Sequence, residues 1–94
     1  MSTFDTIAEK IIKEQELVIG PMAWSEAVKV PGLVANMQNG SVTIGSSDPK
    51  TTIDQLVAQY ERLFGRASHE VCKEAAATII AGLPKIDIPL SLVS

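Results

Sequence analysis

The sequence predicts a mainly helical α+β fold: a small four-helix bundle of two αα-hairpins with an inserted β-hairpin, in the order ααββαα plus an extended C-terminal arm. Three observations carry that expectation. Apolar residues recur at intervals of three and four through four segments, the spacing of one helix face. Two of those segments close on a glycine, Gly20 and Gly65, and lead directly into another helical segment, the layout of an αα-hairpin. Between the two pairs, Asn39-Gly40 stands inside an alternating stretch, the strongest short hairpin signal a sequence carries.

The first helix, about 3–19, opens on Ser2-Thr3, with Asp5 where the positive helix end favours a carboxylate. Phe4, Ile7, Ala8, Ile11, Val18 and Ile19 share one face, and Glu9 with Lys13 makes a well-oriented pair four apart. Gly20 suits a left-handed closing position, and Pro21 fits the first position of a new helix. That second helix, about 21–29, turns Trp24, Ala27 and Val28 inward and Ser25, Glu26 and Lys29 outward, and Pro31-Gly32 stops it.

The hairpin, 33–45, follows from two patterns at once. With Asn39-Gly40 as a two-residue type I′ turn, Gln38 pairs with Ser41, Met37 with Val42, Asn36 with Thr43 and Ala35 with Ile44. One face then reads Met37, Val42, Ala35 and Ile44, all apolar, and the other is all polar; a slip of one residue scrambles both.

A third helix, about 49–64, starts with Asp48 as cap and Pro49 at its first position, with Thr51 and Asp54 as a second capping choice. Ile53, Leu56, Val57, Tyr60, Leu63 and Phe64 repeat at three and four. The fourth helix, about 68–82, takes Ser68 as cap and places Cys72, Ala75, Ala76, Ile79, Ile80 and Leu83 inward, with Gly82 and Pro84 ending it. In the arm, 85–93, Ile86, Ile88, Leu90 and Leu92 alternate with period two, a strand pattern that Pro89 demotes to an edge strand or an extended arm. A 45-residue shift lays Glu16 on Glu61 and Gly20 on Gly65, an echo of two helix–glycine–helix units. Capping rules alone produce much the same match.

Composition bounds the function. The chain has 94 residues, the size of a single domain, read here as one helical domain over 1–94. Hydrophobic residues make up 46% and charged residues 20%, the balance of a soluble globular protein, and with 4% aromatics the core must be aliphatic. A net charge of −3 argues against nucleic acid as a partner. The single cysteine excludes an internal disulfide and a Cys-rich zinc site. The uncharged run from Ala75 to Pro84 is far too short to span a bilayer, and the N-terminal residues, carrying Asp5 and Glu9, lack a basic-then-apolar signal. The expectation is therefore a cytoplasmic protein with no membrane partner.

Few residues point to chemistry. Cys72 lies three from His69, with Lys73 adjacent, a spacing that would bring a thiol and an imidazole together for nucleophilic or redox work. The competing reading makes Cys72 a small buried hydrophobe on the inner stripe. A metal site from His69, Cys72 and Glu70 or Glu74 lacks a second ligand cluster. Arg62, Arg66, His69 and Lys73 step by four, three and four, and with the N-terminus of the last helix they are candidates for a weak anion site. Trp24 reads as core, where a large ring gains most. No phosphate loop, carboxylate dyad or Ser-His-Asp order occurs, so no catalytic residue, cofactor or metal is assigned.

The reading that remains is a non-enzymatic protein–protein interaction or regulatory module that self-associates as a homodimer or joins a larger protein. Its candidate interface is Ile86, Ile88, Leu90 and Leu92, since such a row left in water is an interaction strip. The alternatives are a small enzyme or redox protein using Cys72 near His69, and an anion or ligand sensor through Arg62 and Arg66.

Overall fold

The computed structural model describes residues 2–93; residues 1 and 94, the ends of the expected domain, lie outside the described residues. Helices α1 (Thr3–Ile19) and α2 (Met22–Ala27) precede strands β1 (Leu33–Asn36) and β2 (Ser41–Ile44). Helices α3 (Pro49–Phe64) and α4 (Arg66–Ile80) follow, and the arm contains two 3₁₀ turns, Lys85–Asp87 and Leu90–Leu92. The order is ααββαα plus arm.

Local chemistry explains the helix ends. Ser2 Oγ accepts from the Asp5 N–H at 3.1 Å and Asp5 Oδ2 accepts from the Ser2 N–H at 3.2 Å, a reciprocal capping box. The other oxygen, Asp5 Oδ1, accepts from the Ile44 N–H at 2.8 Å, so one carboxylate caps α1 and pins β2. Asp48 caps α3 through the Thr51 N–H at 3.3 Å and the Thr51 hydroxyl at 2.7 Å, and these bonds hold its carboxyl below the usual range. Gly20 (φ 75°) and Gly65 (φ 87°) both close their helices with positive φ, donating their N–H to Glu16 O and Glu61 O. The sequence echo is thus a structural match at these joints, although α2 has 6 residues and α4 has 15.

The core is aliphatic. Ile7, Ala8, Ile11 and Ile12 of α1 meet Ile53, Leu56, Val57 and Tyr60 of α3 and Cys72 and Ala76 of α4, with Trp24 and Val42 closing it from α2 and β2. The Tyr60 hydroxyl donates to Ala23 O at 2.6 Å inside this core, which ties α3 to α2.

Several expectations are corrected. The strands pair Leu33 with Ile44, Val34 with Thr43, Ala35 with Val42 and Asn36 with Ser41, two residues away from the expected register. The loop is the four residues 37–40, not a type I′ turn: Gly40 alone has positive φ (70°), and its N–H donates to Asn36 O at 2.8 Å. Asn36 Oδ1 takes the Gln38 N–H and Asn39 Oδ1 the Ser41 N–H, both at 2.9 Å, so the asparagines stabilise a wider turn with their side chains. A shift of two leaves Ala35, Val42 and Ile44 on the inner face, but it puts Met37 in the loop at 53% exposure.

Helix α4 begins at Arg66 rather than at Ser68, because the Ser68 N–H already bonds Gly65 O, and Ser68 is buried. On α2 the faces differ at two positions. Glu26 is buried, receiving the Gln59 amide at 2.8 Å and the Lys29 ammonium at 3.2 Å, while Val28 is exposed. Those two partners hold the Glu26 carboxyl below the usual range. Val18 is exposed, and Ile12 and Gln15 take up the buried stripe of α1 instead.

The arm is not a third strand. Pro84 and Pro89 sit at φ −60° and −56° with extended ψ, each leading into a 3₁₀ turn, and the second turn packs on α3 and α4 rather than along the hairpin. Neither proline has an N–H to offer a sheet ladder.

Candidate interaction surface

The arm is where the structure brings polar and apolar chemistry together. Its second turn is clasped at Ser91 by two helices. The Ser91 N–H and hydroxyl both donate to Asp54 Oδ1 of α3, at 3.0 and 2.6 Å. The Ser91 carbonyl accepts from His69 Nε2 of α4 at 2.6 Å. His69 is held in turn by Glu61 Oε2, 3.2 Å from Nδ1, so both of its ring nitrogens face acceptors. Beside this clasp Leu92 is 2% exposed, and Pro89 is fully buried.

The four aliphatics of the candidate interface therefore divide. Leu92 and the half-buried Ile88 face the body, while Ile86 and Leu90 stand in water at 77% and 76% exposure. The cause is geometric: a 3₁₀ turn rotates the chain about 120° per residue, so residues two apart do not share a face as they would in a strand. Ile86 and Leu90 border an open groove of about 350 Å³ with Ile88, Pro89 and four charged residues, Asp48, Lys50, Asp54 and Lys85. Lys50 Nζ donates to the Ile86 carbonyl, which fixes the first turn over the start of α3.

The candidate anion stripe does not form one face. Arg62 donates to Gln59 Oε1 at 2.7 Å, Lys73 lies 4.0 Å from Glu70 Oε2, Arg66 is exposed, and His69 is turned into the arm clasp. Arg62 instead borders a shallow pocket of about 370 Å³ with Lys29, whose ammonium is engaged by Glu26.

Cys72 is fully buried, its Sγ receiving the Gln15 amide at 3.3 Å, and burial pushes the thiol up from 9.0 to about 11. Such a thiol stays protonated at neutral pH, and the His69 nitrogens are bonded elsewhere. Gln15 also donates to Ser68 O at 2.8 Å, cross-linking α1 to α4 inside the core. Among the described residues no group of three or more His, Cys, Asp or Glu could hold a metal ion, and no helix is long and apolar enough to cross a membrane.

No family model, curated protein or solved structure matches the chain.

Sequence reasoning missed Asp54 and Ser91 as a pair. Asp54 had a competing local role as a helix cap, and Asp48 fills that role, which leaves the Asp54 carboxylate for the arm. The signal for Ser91 is faint: a lone polar residue between Leu90 and Leu92, with its partners 37 and 22 positions away.

Proposed function

We propose that this protein is a non-enzymatic interaction module that pairs with a second copy of itself through the outward side of its C-terminal arm. The observation that carries the reading is the placement of Ile86 and Leu90. An untethered tail escapes the penalty of exposed aliphatics by collapsing onto whatever is near. Here the Ser91 clasp and the buried Leu92 hold the arm in one position, so these two side chains stay in water. Apolar groups that adjoin one another mark contact surfaces, and these two border one groove, although Leu17, Val34 and Val18 are exposed elsewhere at 80%, 67% and 62%.

The groove beside them favours a second copy as the occupant. It carries two cations, Lys50 and Lys85, and two carboxylates, Asp48 and Asp54. Across a two-fold axis a patch meets itself, so the aliphatics of the two copies can cover one another, while Asp48, Lys50 and Asp54 keep the bonds they make within their own chain. Chemistry through Cys72 has less support, since the thiol is buried and raised in pKa. The anion reading likewise has less, since Arg62, His69 and Lys73 each have a partner.

Sedimentation velocity tests the reading. The intact chain should run as a dimer at tens of micromolar. The double variant Ile86→Asp/Leu90→Asp should run as a monomer and keep the melting temperature that the parent shows at low protein concentration, because both positions are exposed within one chain. A monomeric intact chain, or a double variant that still pairs, overturns the reading.

A further inference from the structure

His69 is 9% exposed, and its ring lies between two acceptors. Nε2 is 2.6 Å from the Ser91 carbonyl of the arm, and Nδ1 is 3.2 Å from Glu61 Oε2 of α3. A neutral imidazole has one N–H and one lone pair, so it serves only one of these oxygens. With the proton on Nε2, the Nδ1 lone pair faces a carboxylate. With the proton on Nδ1, the Nε2 lone pair faces the Ser91 carbonyl. Only the imidazolium donates to both, and its bonds are charge-assisted and stronger than neutral ones. We infer that the clasp is a latch set by a proton on His69: the imidazolium ties the arm to α3 and α4, and loss of that proton loosens residues 85–93 from the site between the two helices. The latch operates within one chain, whether or not copies pair.

The surroundings of the ring favour this sign. From α3 it faces the Glu61 carboxylate, and Asp54 stands on the other side of Ser91, so the charged groups of the clasp are both anionic. The arm presents an uncharged carbonyl there, and its Lys85 and Asp87 belong to the first turn. Helix α1 presents the uncharged Gln15, which bonds Ser68 and Cys72. Its Lys10 and Glu14 line a groove with Glu74 and Val71, and Val71 stands roughly 200° around α4 from His69. On α4 itself Cys72 is an uncharged thiol at neutral pH, pushed up to about 11 by burial. Arg66 and Lys73, one turn before and one turn after, oppose a further cation, as does the amino end of the helix. Arg66 is exposed and Lys73 lies 4.0 Å from Glu70 Oε2, so water and that carboxylate screen both. Two direct bonds to a ring shielded from water outweigh screened charges a turn away.

Hydrogen exchange followed by NMR on the full chain tests the latch. Protection factors, which remove the pH dependence of free-amide exchange, are compared at pH 5.5 and pH 7.5. Imidazoles change charge between about pH 5 and 8, and both chosen values lie above the ordinary carboxylate range. The Ser91 and Leu92 amides, bonded to Asp54 Oδ1 and Pro89 O, report on the arm, and the Leu56 amide reports on α3. The higher pH should lower protection at Ser91 and Leu92 on the order of five- to tenfold, the difference between a charged and a neutral hydrogen bond, and leave Leu56 unchanged. His69→Gln should show equal protection at the two pH values. Glu61→Gln, at a half-exposed position, removes the carboxylate that a neutral ring opposes, and its fall in protection should be smaller than the parent's; it serves also where His69→Gln does not fold. Equal protection of the parent at both pH values overturns the latch. So does a fall that persists in His69→Gln, one that is undiminished in Glu61→Gln, or one that Leu56 shares. Sedimentation of the same samples records pairing separately, so an absent latch and an absent dimer are told apart.

Discussion

Leu90 and Leu92 are the same side chain two positions apart, and the structure assigns them opposite costs. Leu92 is 2% exposed between α3 and α4, and Leu90 is 76% exposed. Truncating a buried leucine to alanine loses its transfer free energy and leaves a cavity, together about 2–4 kcal/mol. For a domain of this size each kcal/mol moves the melting temperature by roughly 4–8 °C, so Leu92→Ala should melt about 8–32 °C lower. Leu90→Ala should stay within about 0.5 kcal/mol of the parent, as exposed substitutions do. The assay is thermal and urea unfolding followed by circular dichroism, with the fluorescence of the buried Trp24 as a second reporter. It is run at low protein concentration, so that pairing between copies does not contribute. An extended, alternating arm would put both leucines on one side and make the two truncations alike. Equal losses, or a Leu92→Ala variant that melts with the parent, would refute the docked turn.

Three further outcomes follow from the core, the hairpin and the thiol. Tyr60→Phe removes the donor that satisfies Ala23 O and should cost about 1–2 kcal/mol in urea unfolding, with the ring still packed. Gly40→Val should cost about 1 kcal/mol or more, because a β-branched residue resists the φ of 70° there. Cys72 should label slowly in native buffer at neutral pH, and Cys72→Ala should cost roughly 1–2 kcal/mol of packing. Burial raises the Cys72 thiol above 9.0 in the fold, so the stability linked to it is fully present below that value and is lost as pH rises toward about 11. Urea midpoints at pH 8, 9.5 and 11 should therefore fall more steeply for the parent than for Cys72→Ala. Burial raises the Tyr60 hydroxyl as well, with a smaller contribution from Cys72 that the Cys72→Ala variant loses.

Much of the site's frame was legible in the sequence, and little of the site. Asp48-Pro49, Gly20 and Gly65 announced helix ends, and the structure uses each as such. The four aliphatics of the arm were legible as a group with surplus apolar surface. Which of them face water was not, because period-two alternation holds only if the backbone is a strand, and two prolines set this backbone into 3₁₀ turns instead. Glu26 shows the same limit. Its position on α2 reads as solvent-facing, and it is buried because Gln59, 33 residues away, arrives to bond it.

The sequence by itself determined the order of elements, the apolar stripe of α4, that of α3 except for the exposed Leu63, and the inner face of the hairpin except for Met37. These depend on neighbours within a few positions, where helix and strand periods and capping chemistry act. The tertiary structure decided the hairpin register, since sliding an alternating pattern by two residues preserves both faces and only the Asn36 and Asn39 side chains distinguish the two turns. It also decided the role of His69, drawn from a notional basic stripe into a clasp between Glu61 and the Ser91 carbonyl. That clasp, with Asp54, joins residues 22 and 37 positions apart, and no local pattern encodes such a meeting. It arises only when α3 and α4 lie side by side and leave between them a place for the arm.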